Sequence, residues 1–157
     1  MKYTRLTKEQ FESLEQEFIT FLAAQSITGE EWKQIKETTP EVAEQELDVF
    51  SDLVWEGVLQ NASYLENIAP QQLFLFELGE TSMNLIVLKI TDAKQDVTTP
   101  EGYRWLQKNF ASDDVEFLTA NKEYSDDRNG DVFALIQQGA VITKGELFNF
   151  FDRTIHP

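Results

Sequence analysis

LFLFEL at residues 73–78 and MNLIVLKI at residues 83–90, separated by GETS at 79–82, decide the fold. Each run is rich in Leu, Ile, Val and Phe, and a Gly-containing turn separates them. That pattern reads as a β-hairpin. Both faces of both strands are largely apolar, so the ribbon must be covered on both sides. Helices of the same chain could do this, or a second copy of the chain, which makes a homodimer one expectation. A hairpin alone is marginal in water. The stretch from Val115 to Thr119 is the candidate third strand.

Outward from the hairpin, the pattern is helical. Thr7 and Gln10 form a capping box, and Phe11, Leu14, Phe18, Phe21 and Leu22 recur at helical spacing to an end near Ser26. Thr28 and Glu31 open a short helix with Trp32 and Ile35. Thr39-Pro40 places proline at the first position of a long helix to about Gln60. Its apolar positions Val42, Leu47, Val49, Phe50, Leu53, Val54 and Val58 predict one broad buried side. Thr99-Pro100 repeats that start, with Tyr103, Leu106 and Phe110 as an inner stripe. Asp126 to Asp131 reads as an acidic loop, Asp131 as the cap of a helix through Gln138, and Gly139 as its C-terminal stop. Thr143 and Glu146 predict another capping box before Leu147, Phe148, Phe150 and Phe151. The fold class is α+β: several amphipathic helices packed around a small antiparallel sheet built on the central β-hairpin. Residues 1–157 show no linker or repeat and read as a single globular domain.

Composition narrows the chemistry. The chain has 157 residues, including 12 Phe, 28 Asp and Glu against 13 Lys and Arg, and a net charge of −15. That field repels nucleic-acid phosphates and anionic lipid, so neither nucleic acid nor membrane is expected as a partner. There is no Cys, which removes thiol catalysis and thiolate metal sites. No apolar leader is visible near MKYTRLT, and the cytoplasm is the expected setting. His156 is the sole histidine. Ser-His-Asp triads, HExxH zinc sites and Glu-x-x-His di-iron sites need a histidine placed elsewhere, and no cofactor is expected.

Two apparent motifs fail on their key residues. Aligned to a calcium loop, Ser125 to Gly130 puts Asp127 and Asn129 on ligand positions. Ile136, however, stands where the bidentate Glu belongs. In Gly139 to Gly145 the lysine precedes the second glycine, and Glu146 replaces the magnesium-binding hydroxyl of a phosphate loop.

One constellation remains. Glu44, Asp48, Asp52 and Glu56 follow at i, i+4 on the long helix, and Trp55 shares their side. Like charges so spaced cost about 0.2–0.5 kcal/mol per pair, and the helix itself carries nothing basic. Three readings compete: a solvated face, or one paired with Lys and Arg from elsewhere in the fold; a binding face for a basic protein partner with Trp55 as anchor; and a magnesium or manganese site on Glu44, Asp48 and Asp52. The all-helical nucleotide pyrophosphohydrolases pair Glu-x-x-Glu with a later Glu-x-x-Asp on facing helices. Glu41 and Glu44 fit the first pair. The later pair could only be Glu123 and Asp126, in a predicted loop, and the hairpin is foreign to that fold, so this comparison is set aside.

The opening MKYTRLT, QSITGEEW at residues 25–32, ELDVFSDLVWEGVL at 46–59 and QQGAVITKGEL at 137–147 together resemble an uncharacterised bacterial family of about this length. The resemblance spans the chain and implies a bacterial protein of unknown function, with no catalytic residue to carry over. The functional expectation is therefore an acidic protein-interaction or regulatory module. The alternative is a carboxylate-dependent magnesium or manganese enzyme acting on a phosphorylated small molecule.

Overall fold

The computed structural model describes residues 1–157. It contains seven helices and one five-stranded antiparallel sheet, an α+β fold. The chain divides into two compact units, Met1–Gln60 and Asn61–Pro157.

The first unit is helical: α1 (Lys8–Ser13), α2 (Glu15–Ala24), α3 (Gly29–Thr38) and α4 (Pro40–Asn61). The Thr7–Gln10 capping box forms in both directions. The single first helix expected from periodicity is interrupted at Leu14. Ser13 Oγ donates to the Gln10 carbonyl, and the Leu14 N–H is shared between the Gln10 and Phe11 carbonyls. A side chain competing for a helix carbonyl weakens the ladder locally. Phe11, Phe18, Phe21 and Trp32 gather around Phe50 of α4, with Phe18 edge-on to Phe50 at 5.0 Å. Edge-to-face aromatic packing of this kind adds about 0.5–1.5 kcal/mol per pair beyond burial. The broad buried side expected for α4 is narrower than its apolar composition. Ala43 and Phe50 are buried, whereas Val42, Val49, Leu53 and Val58 are exposed. At 100° per residue, Val42, Val49 and Leu53 lie about a quarter turn from that inner line.

The second unit holds β1 (Tyr64–Ala69), β2 (Gln72–Leu78), β3 (Ser82–Ile90), α5 (Pro100–Asn109), β4 (Val115–Glu123), α6 (Arg128–Gln137), β5 (Val141–Thr143) and α7 (Glu146–Ile155). The sheet order is β4-β3-β2-β1-β5, so the predicted hairpin β2–β3 lies inside it and the predicted third strand forms the β4 edge. Cross-strand partners Ile68, Leu73, Leu88 and Phe117, and Glu66, Leu75, Ile86 and Thr119, share one face. On that face Leu73, Leu75, Ile86, Leu88 and Ile90 pack with Leu106 of α5 and with Phe148 and Phe151 of α7. Phe76, Leu78, Met83 and Val87 of the opposite face are buried as well. Residues on both faces of the apolar ribbon are thus buried in the single chain.

Other starts differ from the sequence reading. Asp127, not Asp131, caps α6, accepting from the Gly130 N–H at 3.1 Å. Asp131 instead accepts from the Ser125 N–H and hydroxyl, so the acidic loop is a helix start with its own ties. Arg128 donates to the carbonyls of Gly79 and Ala62, joining α6 to the hairpin turn. Thr143 ends β5 rather than capping α7. The α7 cap is Gly145 at φ +81°, with the Tyr64 ring where a Cβ would stand. No helix is long and apolar enough to cross a membrane.

Candidate functional site

The carboxylate ladder of α4 forms as its spacing predicts, since residues four apart stack on one helical face. Its partners are the first residues of the chain. Glu44 to Glu56 spans about 18 Å at 1.5 Å per residue; three extended residues cover about 10 Å, and the long side chains of Lys2 and Arg5, at opposite ends of the segment, cover the rest. Residues 2–5 can therefore serve the whole ladder.

Asp52 accepts two successive main-chain N–H groups, from Lys2 at 2.7 Å and Tyr3 at 2.9 Å. Arg5 places Nε at 2.8 Å and Nη2 at 2.6 Å from Asp48 Oδ1, and its Nη1 donates to the Glu44 carboxylate. Lys2 Nζ lies 3.1 Å from Glu56, and the Tyr3 hydroxyl donates to the same carboxylate. Leu6 N–H donates to Ser51 Oγ at 3.1 Å, and the Ser51 hydroxyl donates in turn to the Leu47 carbonyl. Tyr3, Leu6 and Ser51 are buried. Trp55 is half-buried beside the Tyr3 ring at 6.4 Å, rather than standing out as an exposed anchor.

The electrostatics follow this geometry. The hydrogen bonds that Arg5 donates to Asp48, then to Glu44, raise its pKa further. Burial, reinforced by the hydrogen bond to Glu56, pushes the Tyr3 phenol up. Repulsion along Glu44, Asp48, Asp52 and Glu56 is offset by two side-chain cations and by main-chain donors. Charge-assisted bonds of this type are roughly twice as strong as neutral ones. No three His, Asp or Glu side chains gather closely enough to hold a metal ion.

All five residues singled out in the sequence, Glu44, Asp48, Asp52, Trp55 and Glu56, thus lie along one segment of chain. The sequence reading missed Lys2, Tyr3, Arg5, Leu6 and Ser51. Their signal was present: MKYTR puts two cations three residues apart in front of an acidic helix that has none. What periodicity cannot supply is the pairing of an irregular segment with a helix some forty residues away.

The chain belongs to a family of unknown function (DUF6495), whose profile matches residues 1–156. No curated protein and no solved structure matches it.

Proposed function

We propose that this member of a family without an assigned activity is a protein-interaction module whose α4 face receives a short basic segment. The observation that carries this reading is the way residues 2–6 lie on α4. Asp52 reads two consecutive backbone N–H groups, Glu44 and Asp48 read a guanidinium, Glu56 reads an ammonium, and Leu6 is buried at the end. Those are the elements of peptide recognition: backbone bonds for affinity, charge for register, an apolar side chain for desolvation. In this reading the chain's own N-terminal segment is an internal stand-in, and a basic partner competes with it. The net charge of −15 draws such partners in.

The test is fluorescence anisotropy with a labelled peptide of residues 1–7, added to the full chain, to the Arg5→Ala chain and to a chain lacking residues 1–6. The tethered segment competes at an effective concentration in the millimolar range. The Arg5→Ala and truncated chains should therefore bind the peptide at least about tenfold more tightly than wild type. Adding Glu44→Gln and Asp52→Asn should remove that gain. Equal binding by wild type and Arg5→Ala, or no saturable binding to a folded truncated chain, would make the N-terminal segment purely structural and end the proposal.

A further inference from the structure

Independently of α4, we propose that the second unit carries a binding cleft for a small organic cation with an apolar body, an arylalkyl or alkyl ammonium compound, with Glu66 as its counter-ion. Two adjoining cavities of about 450 and 440 Å³ meet at Tyr103, Glu146 and Leu147. Each is within the size range of small-molecule sites. The inner end is walled by Leu106 and Phe110 of α5 and by Phe150 and Phe151 of α7. The other end reaches Glu66 and Ile68 of β1, with Thr143 and Lys144 just before α7.

Glu66 is the unusual group. It occupies a position of β1 between Leu75 on β2 and Val141 on β5, on the face where Leu75 and Leu73 pack against α5 and α7. Glu66 is half-buried, and no donor of the chain reaches its carboxylate. Burial alone pushes its pKa up. A half-buried carboxylate without a partner loses part of its hydration, and an arriving cation offsets that loss. The charged and titratable neighbours are Tyr103 on α5, Lys144 before α7 and Glu146 on α7. Lys144 and Glu146 are exposed, so Glu66 is the one half-buried charge lining that end. Tyr103 and Phe110 line the cleft, and aromatic rings there suit a ligand with an aromatic body and, through a ring face, its ammonium.

The experiment titrates 2-phenylethylammonium and its neutral match, 2-phenylethanol, into the full chain by NMR and by calorimetry. The ammonium compound should bind saturably, shift resonances of Tyr103, Leu106 and Phe150, and bind at least about tenfold more tightly than the alcohol. Glu66→Gln should erase that preference while unfolding at the same or a higher temperature. Lys144→Glu, which leaves the sheet untouched, should strengthen the ammonium's binding and not the alcohol's. Equal affinity for amine and alcohol, an unchanged preference in Glu66→Gln, or no saturable binding up to tens of millimolar would overturn the proposal.

Discussion

Tyr3 shows how one residue joins sequence, packing and pH. Its ring is buried, its main-chain N–H binds Asp52 and its hydroxyl donates to Glu56. Ionising the phenol would place a second negative charge against Glu56. The folded chain therefore holds the proton more tightly than the unfolded chain, whose value is near 10.0. A raised folded value means that this stabilisation is complete below the unfolded pKa and is lost as pH rises through the folded one. We expect the unfolding midpoint to fall on titration upward from about pH 10, and Tyr3→Phe to flatten that fall. Denaturant melts at a series of alkaline pH values check this, and an unchanged slope in Tyr3→Phe would exclude Tyr3 as the source. Gly102 makes a different point. A Cβ there would lie 1.7 Å from the Asp96 carbonyl oxygen, because the first turn of α5 sits directly on the preceding loop. No pattern in TPEGY signals that contact, since it comes from chain folding back on itself.

Among the elements, helix ends were legible where a threonine hydroxyl caps or a glycine stops the helix, while the starts at Asp127 and Gly145 were not. Thr7, Thr28 and Thr99 all accept from an N–H of the first turn, and a hydroxyl before a helical pattern is visible in the sequence. Gly139 likewise ends α6 with the paired bonds of a left-handed stop, Gly139 N–H to Ile136 and Ala140 N–H to Leu135. The end of α2 uses the same device with the wrong residue. Ser26 sits at φ 59°, its N–H bound to the Ala23 carbonyl, while the Ile27 N–H reaches back to Leu22. A left-handed L-residue costs about 1–2 kcal/mol, and glycine returns part of that gain through the entropy of the unfolded chain, about 0.4–1 kcal/mol. Ser26→Gly should therefore stabilise the chain by about 0.5–1 kcal/mol. Urea unfolding measures this, and a destabilised variant would mean that the serine side chain does more than occupy the turn. Strands were legible by apolar content alone. β2, β3 and the start of β4 were read correctly, but β1 carries Glu66 and Asn67 among its apolar residues and β5 has only three residues. β1 lacks the alternation, and β5 the length, that mark a strand.

For the whole molecule, the family profile spans residues 1–156 and so covers both compact units. We propose that they unfold together as one domain. The expected outcome is a single calorimetric transition whose van't Hoff and calorimetric enthalpies agree. Two resolved transitions would make the units separate domains. With 28 acidic against 13 basic side chains, moderate salt should raise that transition by screening self-repulsion.

What the sequence determined by itself was the α+β class, the hairpin, most helix starts, the acidic ladder and the family-wide resemblance. Each of these depends on near neighbours or on periodicity, which the order of residues encodes directly. Only the tertiary structure decided that Lys2, Tyr3 and Arg5 meet the ladder, that Val49 and Leu53 stay exposed, and that Glu66 lies in a cleft between β1, α5 and α7. Those facts depend on which distant segments approach each other. A local pattern states that a face is acidic or apolar, and the contacts of the folded chain decide what that face meets.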